Sequence, residues 1–256
     1  MKPAPLLEIE ALAVGYHRRA VASGLNARLD RGTLCALLAA NGTGKSTLLR
    51  TLCGLQPALG GTIRIDGRCL EDYPPTALAR TVAVVLARPR AGGALTVGEV
   101  VALGRLPHTG PFRRPSDADR TAVSQALEAV GIAHLADRRV GTLSDGERQK
   151  AFIAKALAQE APVLLLDEPT AFLDYPSKIA LFRLLAHLAH DGCRAILVST
   201  HDVETALHLS DRLWLLRPDG ITCGTPRALA ADGCIARFFR ADGLRFTPSA
   251  LRFEAD

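Results

Sequence analysis

The sequence predicts an α/β protein: a parallel sheet flanked by helices, with an antiparallel β subdomain at its start and a helical insert in its middle. Three observations carry this. Thr33–Leu38, Val163–Leu166 and Ala195–Ser199 are short runs, apolar almost throughout, as strands buried on both faces require, and helical periodicity separates them. The opening segment instead alternates apolar and polar residues, as strands with one wet face do. Between about Arg88 and Glu160 the strand runs stop and helical periodicity takes over, which marks an insert in a βα alternation.

In order, Leu6–Leu12 and Ala20–Leu29 read as antiparallel strands broken by Gly15 and Gly24. Asp30-Arg31-Gly32 turns the chain into the strand Thr33–Leu38. A glycine-rich loop follows, and Lys45–Leu52 reads as a helix. Strand signals return at Gly61–Ile65 and Thr81–Leu86. Proline and glycine punctuate Arg88–Leu106. Ser116–Val130 then has helical periodicity, with Ser116 and Asp119 as a capping box and Gly131 as the stop. A second helix covers Asp145–Gln159. Strands Val163–Leu166, Ala195–Ser199 and Leu213–Leu216 then alternate with helices Pro176–Ala189 and Val203–His208. Beyond about Ala231 the chain has no period, and no element is predicted there.

Composition narrows the function. With 256 residues, 48% apolar and 22% charged, the chain can bury a sizeable core and is neither disordered nor fibrous. Its longest purely apolar run, Leu34–Ala40, is seven residues, against about 20 for a membrane span. The first ten residues show no apolar leader. The six cysteines are scattered without a C-x-x-C pair, so they read as reduced thiols of a cytosolic protein. The net charge of +5 rests on thinly spread arginines, with 5% aromatics to stack bases. No nucleic-acid partner is expected.

The chemistry begins at Asn41-Gly42-Thr43-Gly44-Lys45-Ser46-Thr47, between a buried strand and a helix. Glycines let backbone N–H groups turn toward an anion, the helix N-terminus adds its positive end, and Lys45 supplies a charge for the β and γ phosphates. Ser46 is placed to offer its hydroxyl to Mg²⁺. One position departs from the full pattern: Ala39 stands where glycine is usual. If the backbone there needs a positive φ, alanine costs about 1–2 kcal/mol. The run Val163–Leu166 ends in Asp167-Glu168. A carboxylate at the carboxyl edge of a sheet suits Asp167 to hold Mg²⁺ and Glu168 to polarise the attacking water. Together these features describe a P-loop NTPase.

Leu143-Ser144-Asp145-Gly146-Glu147-Arg148-Gln149 resembles the signature segment of the ABC transporter ATPases. Its Ser144 and Glu147 are also an ordinary capping box opening a helix. Further resemblances follow in that family's order. Asp167-Glu168-Pro169-Thr170-Ala171-Phe172-Leu173-Asp174 runs into the segment that touches a partner subunit, Ser199-Thr200-His201-Asp202 is similar to the switch-histidine motif, and Tyr16 stands where an aromatic stacks on adenine. The resemblance covers roughly residues 6 to 230. It implies a P-loop NTPase core of ABC ATPase type with an antiparallel β subdomain and a helical insert. One domain would fill 1–256: a nucleotide-binding core with its β subdomain at 1–87 and 161–230, a helical subdomain at 88–160, and a tail of unassigned role at 231–256.

The resemblance also implies roles. Glu168 and His201 would be catalytic. Tyr16, Asn41, Gly42, Thr43, Gly44, Lys45, Ser46 and Thr47 would bind ATP, and Ser46 and Asp167 would hold Mg²⁺. Ser144, Asp145, Gly146 and Glu147 would complete the site of a second, identical chain in a head-to-tail dimer. Leu95–Val97 and Glu99–His108 are similar to the ATPases of iron–siderophore, haem and cobalamin importers. On that likeness the chain would power uptake of a ferric siderophore or related metal chelate, peripheral on the cytoplasmic face of the membrane, with membrane permease subunits and, indirectly, a substrate-binding protein as partners. The alternatives are a soluble non-transport ABC ATPase and a degenerate subunit that binds ATP with little hydrolysis. The second is motivated by Ala39 and by Arg88, which falls where the family has a metal-binding glutamine; a guanidinium cannot ligate a cation.

Overall fold

The computed structural model describes residues 5–87, 94–109, 114–240 and 244–255. Strands β1 (Leu7–Tyr16), β2 (Arg19–Leu29) and β3 (Thr33–Leu38) lead into helix α1 (Lys45–Leu52). Next come β4 (Gly60–Ile65), β5 (Arg68–Cys69), α2 (Pro75–Thr81) and β6 (Val82–Val85). A helical stretch holds α3 (Val97–Ala102), α4 (Leu106–Thr109), α5 (Asp117–Ala129) and α6 (Asp145–Ala158). The alternation resumes with β7 (Val163–Asp167), α7 (Tyr175–His190), β8 (Ala195–Ser199), α8 (Val203–Leu209) and β9 (Arg212–Arg217). Then β10 (Gly220–Gly224), α9 (Pro226–Ala231), α10 (Cys234–Phe238), β11 (Leu244–Thr247) and β12 (Arg252–Ala255) complete the chain's elements.

Two sheets and the helices between them make the body. The larger has strand order β10-β9-β3-β8-β7-β6, parallel throughout except for the β10–β9 edge pair. The smaller is antiparallel, in order β2-β1-β4-β5. Helix α1 lies between them: Leu48, Leu49 and Leu52 join Leu7, Ile9 and Leu25 of the small sheet and Leu37, Leu165 and Trp214 of the large one in one buried cluster. On the opposite face, Phe152 and Ile153 of α6 and Val100 of α3 share a cluster with Val85, Leu164, Leu166 and Val198 of the large sheet. The helical stretch thus packs onto the parallel sheet through continuous apolar contact. Among the described residues no helix is long and apolar enough to cross a membrane, and the six cysteines are free thiols.

The structure corrects the sequence-based reading at several elements. The first strand does not end at Leu12 but runs to Tyr16, because the register slips at bulges between Ile9 and Gly15, and a bulge breaks alternation without ending the pairing. Gly15 and Gly24 lie inside strands. At Gly15 a Cβ would stand 2.0 Å from the Arg19 carbonyl oxygen, so the hairpin closes only on glycine. Thr81 ends α2 and does not open β6. Leu213–Leu216 sits within β9 and is followed by an antiparallel partner, β10. The tail also folds: Ile235 and Phe246 are buried against Leu38, Leu213 and Leu215. Ala39 carries no positive φ, so its expected strain is absent.

Candidate active site

Parallel pairing sets β3, β8 and β7 side by side, in a register that aligns Leu37 with Ser199 and Ser199 with Asp167. Their carboxyl ends therefore deliver three loops to one edge, the place where open α/β sheets bind ligands. The loop after β3 contains Asn41, Gly42 and Thr43 and turns through Gly42 (φ 78°) and Gly44 (φ 102°) into α1. Gly44 is the N-cap of α1, no side chain caps its amides, and the first turn has no acidic residue. Open amides and the positive end of the helix dipole make an anion site.

Lys45 projects from this turn and is 7% exposed. Its ammonium donates to the Ala39 carbonyl at 3.3 Å, and lies 3.1 Å from His201 Nε2 and 4.0 Å from Glu168 Oε1. Burial lowers its pKa from the ordinary 10.5; Glu168 and then Asp167 oppose that shift. Ser46 follows Lys45, half-buried at the same turn. Thr47 donates to the Tyr16 hydroxyl at 3.3 Å, while Tyr16 itself stays 44% exposed at the rim.

Asp167 is buried at the end of β7, its Oδ1 accepting from the Ser199 hydroxyl at 2.7 Å. Glu168 sits at φ 49°, a left-handed backbone costly for a side-chain-bearing residue. Its N–H donates to Ser199 Oγ at 3.0 Å and lies 3.2 Å from the Ser199 carbonyl. Ser199 therefore holds both acidic residues. Glu168 Oε1 lies 2.7 Å from His201 Nε2. That nitrogen cannot both donate to Glu168 and accept from Lys45, because one ring nitrogen carries either a proton or a lone pair. The shorter contact assigns the proton to the Glu168 side.

Ser144 caps α6 with a complete capping box. Its Oγ accepts from the Glu147 N–H at 3.3 Å, and Glu147 Oε2 accepts from the Ser144 N–H and hydroxyl, each at 2.8 Å. The Ser144 backbone bond, then its hydroxyl, holds the Glu147 carboxyl below the usual carboxylate range. Asp145 pairs with Arg148. A Cβ on Gly146 would stand 3.2 Å from the Phe172 carbonyl, so this turn abuts the segment that continues from Glu168. Among the described residues, Ser144–Glu147 make no hydrogen bond to 41–47. Of the residues singled out from sequence, Tyr16, Lys45, Thr47, Asp167, Glu168 and His201 converge; the Ser144 turn is not hydrogen-bonded to them among the described residues. Arg88 lies outside the described residues. The bridging role of Ser199 was not read from sequence, although a hydroxyl ending an apolar strand beside Asp167 is the signal that points to it.

Residues 22–171 match the family model described as ABC transporter. The chain belongs to this family. Such a cassette is an ATP-binding subunit, an ATPase coupled to transport. This ABC ATPase is 38% identical, over 92% of its length and 86% of the relative's, to the ferric enterobactin transport ATP-binding protein FepC of Escherichia coli. It is 36% identical to the iron(3+)-hydroxamate import ATP-binding protein FhuC of Bacillus subtilis, over 92% and 88% of the two chains. Among solved structures it resembles cbiO1 of Clostridium perfringens, part of the ABC transporter complex cbiONQ. That likeness has a TM-score of 0.78 and 28% identity, and covers 92% of this chain and 94% of that one.

Proposed function

We propose that this ABC ATPase powers an importer for a ferric siderophore or a related metal chelate. The cargo reading is supported by the likeness to FepC, a ferric enterobactin transport protein, and FhuC, an iron(3+)-hydroxamate import protein, and by the segment from Leu95 to His108. The observation that carries the catalytic reading is the meeting of Lys45, Glu168 and His201 within 4.0 Å at the sheet edge.

Phosphoryl transfer needs positioning and charge more than covalent chemistry. Lys45 and the amides of 42–47 hold the phosphates, and Tyr16 offers its exposed ring face to the base. Glu168, fixed through its N–H by Ser199, accepts a proton from the attacking water, and His201 orients Glu168 and reaches the γ-phosphate. Asp167 and Ser46 are hard oxygen donors suited to Mg²⁺. Asp167 Oδ2 takes no hydrogen bond among the described residues, whereas Oδ1 is held by Ser199. No group of three His, Cys, Asp or Glu stands ready for a resident metal among those residues, which fits a cation arriving with the nucleotide. When bound, Mg²⁺ would neutralise phosphate charge.

Ser144–Glu147 make no hydrogen bond to the phosphate loop of their own chain among the described residues, and we assign them to the site of a second copy in a head-to-tail dimer. Membrane permease subunits, and through them a substrate-binding protein, complete the assembly on the cytoplasmic face of the membrane. The domain reading is one ABC ATPase domain over 1–256, with the tail packed on its core.

Glu168→Gln tests the catalytic assignment. It preserves size but removes the base, so ATP binding should persist while turnover stops, and the dimer should accumulate on a sizing column with ATP. Turnover near the parent rate in this variant would sink the assignment.

A further inference from the structure

Helix α6 follows its N-cap Ser144 and ends, about 21 Å away at 1.5 Å per residue, against a segment from another part of the chain. The last carbonyls of a helix lack intrahelical partners, and here outside groups take them. Arg105 Nη1 donates to the Ala158 carbonyl at 2.7 Å and to Glu160 Oε2 at 2.6 Å. His108 Nε2 lies 2.9 Å from the Gln159 carbonyl. Gly104 packs so close that a Cβ would stand 2.2 Å from the Lys155 carbonyl. Arg105 is 8% exposed, and its Nε donates at 2.9 Å to Asp119, which is buried in the first turn of α5. One guanidinium thus joins the C-terminal end of α6 to the N-terminal end of α5. It also borders an apolar cavity of about 610 Å³ between α3, α4 and α5.

We propose that Arg105 is a positioning residue for ATP hydrolysis. It sets where α6 sits relative to α5, and so where Ser144–Glu147 are presented to the second copy. The proposal rests on the shared-site reading given above. Arginine suits the task because its planar fork reaches three acceptors on two elements, and its charge is favourable at a helix C-terminus. At the other end of α6, Gly146 abuts the Phe172 carbonyl. Helix α6 is packed through buried residues from Gln149 to Ala158 while its first turn is exposed to half-buried, and a helix moves as a rod, so slack at Arg105 appears at Ser144.

Arg105→Lys keeps the charge but meets fewer acceptors. In the purified full-length chain, kcat should fall about tenfold, within the usual range of coupling between sites. KM for ATP should stay within about twofold, because the chain's own phosphate loop is untouched. The deciding readout is complementation. Arg105→Lys harms the site that its partner's loop occupies, and Lys45→Ala harms its own. A mixed dimer therefore retains one intact site, and mixing the two variants should raise ATPase activity above either alone. Ser144→Arg mixed with Lys45→Ala is the control for shared sites. Parental kcat in a folded Arg105→Lys chain overturns the proposal. So does failure of its mixture to recover while the control mixture recovers. If the control also fails, the shared-site reading falls and the proposal falls with it. Should Arg105→Lys yield no folded chain, Glu160→Gln, at a half-exposed side chain, decides on the same criteria.

Discussion

Lys45 carries a charge that its surroundings oppose. Burial lowers its pKa from 10.5, and Glu168 and Asp167 partly restore it. Phosphate binding needs the ammonium, so affinity is full below the lowered pKa and declines as pH rises through it. Glu168→Gln removes the larger of the two restoring charges, so the decline should begin at a lower pH than in the parent. Lys45→Ala should lose about 2 kcal/mol of nucleotide affinity, the scale of one charge-assisted hydrogen bond, and its alkaline decline should vanish. Titration of a fluorescent ATP analogue at several pH values reads all three. Matching pH profiles for the parent and Lys45→Ala would show that another cation holds the phosphates.

Helices α3, α5 and α6 each open on a capping box, at Thr96/Glu99, Ser116/Asp119 and Ser144/Glu147, with both reciprocal bonds formed. The box at Ser116 and the start of α5 are legible because the whole device spans four residues. Asp119 does more than its sequence shows. Ser116 first, and then Arg105, hold its carboxyl down to about 2 from the usual 3.8. A carboxylate with a lowered pKa stabilises the fold above its unfolded value, and that contribution disappears as pH falls through the folded one. Asp119→Asn should therefore be less stable than the parent at neutral pH. Urea midpoints should show the gap closing as pH drops from 3.8 toward 2. A gap that stays constant over that range would mean that the charge of Asp119 contributes nothing.

At the scale of the molecule, three buried clusters divide the core among the described residues, and the third depends on the tail. Ile235 and Phe246 cover Leu38, Ala206, Leu213 and Leu215, and Phe239 and Phe253 pack edge to face beside them. Phe246→Ala should cost about 3 kcal/mol, the usual cost of emptying an aromatic site in a core, measured by equilibrium urea unfolding. A loss below about 1 kcal/mol would mean that the β11–β12 hairpin rides on the core without supporting it.

By itself the sequence determined whatever is local. The glycines of the phosphate loop, Lys45 one residue after the N-cap glycine, the apolar run ending in Asp167-Glu168, and the cap at Ser116 each lie within a few residues, because helix caps and strand faces are set by neighbours at most four positions apart. Tertiary structure decided what depends on partners far along the chain. Strand β1 continues past its bulges only because β2 and β4 pair with it. The Leu34 amide is satisfied by Asp211, 177 residues on, and Glu168 takes its pose from Ser199, 31 residues on. Arg105 finds Ala158 and Glu160 more than 50 residues away. Periodicity records which face of an element is buried, but not which distant group satisfies a buried polar atom there. That choice is made only when the chain closes on itself.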